Sequence, residues 1–314
     1  MRYFLKKTAT TLITLLMVSV VLFFSFQLIS GDPVSRMLGT SATPERLEAL
    51  RAELGLDQPL FLQYLRWLGA FATGDLGTSY VYNQPVASLL STKIPVTLWL
   101  AGISFALVCL LALPVGIYTA KHAGSPVDLA LVVANQVIMA VPPFFSGILI
   151  SWVFGMVLHL FAPGGYVSYE RSLTGFLGYL VYPAIAIALP RAAQTAKLLR
   201  GSILEEASTN YTRTAYSRGN TTSGVLYGHV LKNAFLPVLT FLGMSLANML
   251  AGSLVVERVF GIPGISTTLL SSIGTRDYPV VLAIVMWNAA IIIVVNLAVD
   301  ILYRVLDPRL AEEE

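Results

Sequence analysis

The 314-residue sequence is short of charge, cysteine and histidine, and each shortage rules something out. Charged residues make up 12% of it against 56% hydrophobic ones, and the mean hydropathy is +0.74, too apolar for a soluble domain of this size. Cys109 stands alone, so the chain holds no disulfide framework. The three histidines, His122, His159 and His229, fall in different regions with no His-Glu-x-x-His or carboxylate spacing, which argues against a metal site. Ser223-Gly224 with His229 lacks the glycine two residues before the serine that an intramembrane serine protease would show. There is no Gly-x-x-x-x-Gly-Lys-Ser/Thr and not even a Gly-Lys pair, so this chain cannot cradle ATP phosphates in a P-loop. Any ATPase must be another polypeptide. The net charge of +3 marks no basic patch, and nucleic-acid binding is not expected.

What the sequence has in quantity is long apolar segments. Six are near 9–29, 97–119, 129–159, 177–198, 235–256 and 280–303, and a span of hydrocarbon takes about 20 residues. The expectation is an all-α polytopic membrane protein with six transmembrane helices. The first segment follows Arg2, Lys6 and Lys7 but has a long apolar run and no small-x-small site before Gly31-Asp32-Pro33, which fits a retained helix better than a cleaved signal. The third contains Pro142-Pro143, and a single kinked crossing fits better than two. With the N-terminus inside, the inner loops hold Lys121, six basic residues from Arg191 to Lys232, and Arg304 and Arg309, whereas the short outer loops hold Arg171, Arg258 and Arg276. This asymmetry places both termini, and the polar island around residue 220, in the cytoplasm. The acidic end Glu312-Glu313-Glu314 is a solvated terminus.

That island, Ile203 to Pro237, is where function concentrates. Leu204, Ala207, Tyr211 and Ala215 recur at helical spacing, with Glu205, Glu206, Thr209, Arg213 and Arg218 around the rest of the turn, which predicts one amphipathic helix. Gly219-Asn220 supplies the residue types that end a helix in a left-handed conformation, and Thr221, Thr222 and Ser223 offer N-caps for the next. An ordinary basic loop held by lipid headgroups would share this composition.

The order of residues is more specific. Arg213-Thr214-Ala215-Tyr216-Ser217-Arg218-Gly219 with Leu236-Pro237 downstream resembles the coupling motif of ATP-binding-cassette importer permeases, Glu-Ala-Ala, three residues, Gly, then Leu-Pro. Arg213, Thr214 and the longer interval before Leu-Pro depart from that form, and the pattern Tyr-x-Arg-Thr-Ala-x-x-x-Gly from Tyr211 to Gly219 is similar to the permeases for dipeptides, oligopeptides and nickel. Gly31-Asp32-Pro33, Leu54 to Leu60, Gln63-Tyr64 and Gly74 to Ser79 resemble the outer loop of the first permease subunit in that family. Glu257 to Gly264, Arg276 to Val281 and Asp307-Pro308-Arg309 are similar to its later segments, with Ser266 where glycine is common.

The resemblance implies a type I importer permease in a prokaryotic inner membrane, with residues 1–30 as the N-terminal span, 31–94 as a helical extracytoplasmic loop and 95–314 as a five-span core whose coupling loop covers about 200–234. It implies no cofactor on this chain and, as partners, a second homologous permease, two ATPases carrying ATP and Mg, and an extracytoplasmic binding protein. Peptide is the expected cargo, with nickel or a metallophore as the alternative. Glu206, Tyr211, Arg213, Thr214, Ala215, Arg218 and Gly219 would couple to the ATPase, and Asp57, Arg276 and Asp277 would lie in binding-protein docking loops.

Polar groups inside lipid are costly and therefore candidates for a pathway or gate: Asn248, Glu257, Asn288, Asn296 and Asp300. Asn288, Asn296, Asp300 and Arg304 keep to multiples of four, so they either line a hydrated path or pair and pack locally, Asp300 with Arg304. Gly243, Ala247 and Ala251 form a small-residue stripe suited to close helix packing. Glu257 stands at a predicted outer span end, where a solvated carboxylate is as good a reading as a substrate contact. In the outer loop, Thr43-Pro44-Glu45 predicts a helix start and Gly55 its end, and Pro59 to Phe71 predicts a second helix too apolar to be fully solvated, lying in the outer interface or capping the bundle. A stand-alone secondary transporter or channel is the competing class, against which stands the lack of inverted-repeat symmetry.

Overall fold

The computed structural model describes residues 2–29, 34, 43–53 and 55–306, and among them no strand occurs. Gly31-Asp32-Pro33, Leu54, Asp307-Pro308-Arg309 and the acidic end lie outside the described residues, as do the side chains of Leu50 and Arg304. Among the described residues the main helices, in chain order, are α1 Arg2–Ile29, α2 Pro44–Glu53, α3 Leu60–Ala72, α4 Val86–Lys121, α5 Pro126–Ala140, α6 Pro143–Val157, α7 Leu173–Ala207, α8 Asn210–Ser217, α9 Thr222–Leu250, α10 Leu254–Val259, α11 Ile265–Thr275 and α12 Tyr278–Leu306. α6 ends in a π-helical turn, Ser151–Val157, and α9 carries another at Leu226–Val230. Of these helices, five are long and apolar enough to cross a membrane, α1 (over Lys7–Phe26), α4, α7, α9 and α12 (over Tyr278–Tyr303). α5 and α6 pass the same test together, as a pair bent by 99°.

That bend is a break, sharper than the expected proline kink. Each residue before a proline is pushed out of the helical region, so the Val141-Pro142-Pro143 sequence forces two consecutive extended residues. Val141 sits at φ −80, ψ 121 and Pro142 at φ −62, ψ 143. Pro143 then serves as the first residue of α6, where its missing N–H costs nothing. The fifth apolar segment ends earlier than expected: its helix starts at Thr222, where the N-caps predict, but stops at Leu250, and Gly252, at φ +94, turns the chain into the separate α10.

The chain divides into two compact units, Met1–Pro95 with Pro263–Ile293, and Val96–Ile262 with Val294–Glu314. In the first, Val86, Leu90, Ile265, Val280, Ala283 and Ile284 form a buried core, and α3 packs on α1 through aromatic rings. The two helices expected between the first two spans both form, the first with the caps its sequence predicts. Thr43 Oγ1 accepts from Arg46 N at 3.4 Å, and Gly55 takes φ +67 after α2.

In the second unit, α4, α7 and α9 share a core made largely of alanine and valine, including Ala112, Ala196, Ala234 and Val238. Small residues let backbones approach closely. At Gly116 an added Cβ would stand 3.0 Å from the Ala196 carbonyl. A second cluster is aromatic: Phe161 stacks on Tyr182 at 4.1 Å, and the Tyr179 hydroxyl donates to the Phe260 carbonyl at 2.5 Å.

Of the small-residue stripe expected on α9, Gly243 meets α12. Tyr303 OH donates to the Leu236 carbonyl at 2.7 Å and meets the Thr240 hydroxyl, and one turn on, a Cβ at Gly243 would run into Val299 Cγ2. Valine is stiff about χ1 and cannot swing clear at little cost. Gly243→Ala should therefore cost about 1–3 kcal/mol by overpacking. Val299→Ala in the same chain should return most of it, as a double-mutant cycle of thermal unfolding in detergent would register. Additive losses would mean that the two positions do not meet.

Candidate functional site

The amphipathic helix expected from Ile203 onward is two helices. Residues 203–207 are the last turn of α7, and α8 begins afresh at Asn210. The break is made by Ser208 and Thr209, whose hydroxyls donate back to the carbonyls of Glu205 and Glu206, each at 2.7 Å, in competition with the helix ladder. Thr212 joins the same knot, donating to the Glu206 carbonyl at 3.0 Å and sharing a 3.1 Å contact with the Thr209 hydroxyl. The buried edge of α8 is therefore Thr212 and Ala215, while Ala207 and Tyr211 are exposed.

Ala215 belongs to the same buried cluster as Leu199, Ile203, Val225 and Leu226, which seats α8 on the ends of α7 and α9. Tyr211 pins its first turn sideways: its hydroxyl donates to Glu206 Oε2 at 2.6 Å and accepts from Asn233 Nδ2 at 3.2 Å. Partial burial, then the bond to Glu206, push the Tyr211 phenol pKa up. The far end is closed by Gly219 at φ +83, by Asn220 Nδ2 donating to the Ala215 carbonyl at 3.0 Å, and by Thr221, whose Oγ1 caps α9 through Gly224 N at 3.2 Å. A Cβ at Gly219 would meet nothing within 4 Å, so glycine is required there by backbone conformation and not by space.

What remains outward on α8 is Arg213, Thr214, Tyr216, Ser217 and Arg218. Neither arginine forms an ion pair among the described residues. The result is a short helix with a fixed seat and an open, doubly cationic face.

The nearby ion pair of Asp128 and Arg200 has no counterpart among the sequence expectations. The Arg200 guanidinium donates twice, Nε to Oδ1 at 2.9 Å and Nη2 to Oδ2 at 2.8 Å, and Gly124 N adds a third bond at 2.9 Å. Asp128 is nearly buried, and with Ser125 as N-cap it ties the start of α5 to α7, helped by Lys197 Nζ donating to Gln136 Oε1 at 3.2 Å. Ser125-Pro126-Val127-Asp128 carries a legible helix-start signature; its arginine partner, 72 residues on, has none.

The pathway candidates fare unevenly. Glu257 is fully buried, within 3.5 Å of the Thr97 hydroxyl, because α10 folds back into the aromatic cluster where a span end was expected. Asn248 and Asn296 are exposed, and Asp300 is half-buried. Asn288 Oδ1 is buried with no hydrogen-bond partner, and so, on α9, is the Ser245 hydroxyl. No group of three or more His, Cys, Asp or Glu among the described residues could hold a metal ion.

Of the three loop candidates, Asp57 and Arg276 are exposed, whereas Asp277 is fully buried. Asp277 is thus a strut and not a contact residue: it accepts from the Ser79 hydroxyl and from Tyr80 N at 3.0 Å. Arg276, at φ +57, takes the left-handed position that ends α11.

The sequence of residues 112–312 matches the family described as binding-protein-dependent transport system inner membrane component, and residues 1–101 match that family's N-terminal membrane region. A Sinorhizobium fredii protein named a probable peptide ABC transporter permease is 32% identical over 308 residues, 98% of each chain. A Brucella suis protein provisionally named a peptide transport system permease is 34% identical over 97% of each chain, and the oligopeptide transport system permease AppB of Bacillus subtilis is 32% identical over 98% of each. The chain belongs to this family of inner-membrane components, and it is a transport permease, not an enzyme.

Proposed function

We propose that this chain is a permease subunit of an ATP-driven peptide importer, paired with a second homologous permease, two ATPases that bind ATP and Mg, and an extracytoplasmic binding protein. The cargo is inferred from relatives of nearly equal length named for peptides or oligopeptides. In this reading both termini and the 200–234 loop face the cytoplasm, α5 and α6 together make the sixth crossing, and 31–94 is extracytoplasmic.

The observation that carries the mechanism is α8, an eight-residue helix seated by Thr212 and Ala215 with Arg213 and Arg218 open to a partner. Such a helix transmits force when its seat is firm and its exposed face is gripped. ATP closing the ATPase pair would carry α8 along and open the cavity outward, and hydrolysis would reset it. The handle must bind the ATPases with different affinity in the two conformations, since equal affinity would move nothing. Arg276 and Asp57 are the exposed residues through which the outer loops would meet the binding protein.

The test is purification in mild detergent with mass spectrometry of whatever accompanies the chain, then reconstitution with those partners. Co-purification of a second permease and a P-loop ATPase, with peptide uptake only on ATP addition, is expected. A chain that emerges alone and moves solute without ATP would be a secondary transporter or channel.

A further inference from the structure

Helix α3 touches the first span well inside its apolar stretch, and its remaining faces are sorted by polarity. Tyr64, 5% exposed, packs edge-on to Phe23 with ring centroids 5.5 Å apart, and Trp67 lies 5.6 Å from the same ring. The Tyr64 hydroxyl is 2.9 Å from Ser19 Oγ. The apolar stretch of α1 runs to Phe26, so at 1.5 Å per residue this hydrogen bond sits about 10 Å below that end.

Helical geometry then orients the other faces. With Tyr64 and Trp67 pointing at α1, Phe61, Leu65 and Leu68 turn roughly 90° to one side and Gln63 and Arg66 roughly 100° to the other. The apolar flank is open: Phe61 is 62% and Leu65 45% exposed. The polar flank is tied to the turn before the helix, Gln63 Nε2 donating to the carbonyls of Leu56 at 3.2 Å and Gln58 at 2.8 Å, with the Arg66 guanidinium beside Gly55. A helix lying flat beside a span needs this arrangement of one face sideways, one down into acyl chains and one up to water. At the same level of α1, Val20 and Val21 are exposed too, so the apolar surface is continuous from span to helix.

We propose that α3 lies in the membrane plane beside α1, half sunk in the leaflet at the Phe26 end, with Phe61, Leu65 and Leu68 among lipid acyl chains and Gln63 and Arg66 at the water side. The occupant of the open flank is lipid. This decides between the two sequence expectations for the segment: it is an interfacial helix and not a cap on the bundle. Only the naming of that leaflet as extracytoplasmic rests on the orientation proposed above; the depth does not. The loop that follows the first span is then held at fixed height by its own membrane anchor.

The test is depth measurement on the full chain carrying Cys109→Ser and one of Phe61→Cys, Leu65→Cys, Arg66→Cys or Asp57→Cys, each nitroxide-labelled, in vesicles of phosphatidylethanolamine and phosphatidylglycerol. Power-saturation electron paramagnetic resonance compares collision with oxygen, which concentrates in lipid, and with a water-soluble nickel chelate. All four sites are exposed, so the labels displace no packing. Oxygen should dominate at 61 and 65 and the chelate at 66 and 57, a reversal of sign across the helix. Chelate access at 61 and 65 equal to that at 66 would put the helix in water and overturn the proposal. Loss of access to both reagents at 61 and 65 would put a protein on that flank and overturn it equally. Neither result bears on ATP-driven uptake, so failure here is separable from failure of the transport reading.

Discussion

An Asp277→Ala chain is expected to lose on the order of 3 kcal/mol of stability and to open residues 77–85 to protease. The carboxylate is fully buried and takes hydrogen bonds from the Ser79 hydroxyl, from Tyr80 N at 3.0 Å and, more weakly, from Val81 N at 3.4 Å. The loop has little else: Ser79 N to the Gln84 carbonyl and Val86 N to the Gly77 carbonyl close it, Tyr82 N donates to Ser79 Oγ, and Asn83 takes φ +49. Alanine would leave a hydroxyl and backbone donors without an acceptor, at about 1–3 kcal/mol for each one that water cannot reach. Asp277→Asn should lose less, since its carbonyl still accepts while its NH2 confronts donors. Tyr80 offers a second readout. Burial first, then the charges of Asp277 and Tyr278, push its phenol up to about 12. Its contribution is therefore complete below pH about 10 and lost as pH rises through 12, and without Asp277 that loss should be smaller and complete at lower pH. Thermal unfolding in detergent, with proteolytic fragments mapped by mass spectrometry, measures both. Wild-type stability with loss of uptake alone would instead mean that Asp277 faces a partner.

Features decided by near neighbours along the chain are legible in the sequence alone. Thr43-Pro44, Gly55, Gly219 and Thr221 cap or end helices where their chemistry says, because a cap is decided within four residues. The position of the break at Pro142-Pro143 is legible for the same reason, but its 99° angle is not, since the angle depends on what each half packs against. Ser208-Thr209 misleads because a 3.6-residue stripe runs through serine and threonine without interruption, while the hydroxyls settle on local carbonyls. The site residues that depart most from expectation, Glu257 and Asp277, are those whose partners are remote, Thr97 lying 160 residues away and Ser79 lying 198. A carboxylate near a predicted span end looks solvated until the fold brings a hydroxyl and an apolar wall to it. Of the residues expected to couple, Arg213, Thr214 and Arg218 are exposed, whereas Ala215 is buried, and the seat includes Thr212 where the apolar stripe implies Tyr211.

That seat makes Ala215→Trp the variant with the largest expected effect on transport. Ala215 is 8% exposed and sits in the cluster with Val225 and Leu226, so an indole there must lift α8 or displace its neighbours. Overpacking costs about 1–3 kcal/mol. If that cost falls on the seated form of α8, the population able to transmit the ATPase stroke drops about 5–150-fold. Only the ends of α7 and α9 adjoin the site, so insertion and expression should survive, and hydrolysis on the partner subunits should continue while uptake falls. Gly219→Leu should act in the same direction by another route, because a side chain at φ +83 costs about 1–2 kcal/mol although the space around it is open. Arg213→Glu separates seat from grip: it leaves the buried edge intact and reverses an exposed charge, so it should weaken ATPase binding without loosening α8. Ala215→Ser, close in volume, should transport normally. ATP hydrolysis and peptide uptake measured side by side in proteoliposomes give the ratio that matters. Normal uptake by a well-expressed Ala215→Trp chain would show that α8 is not the element through which ATP hydrolysis drives the pathway.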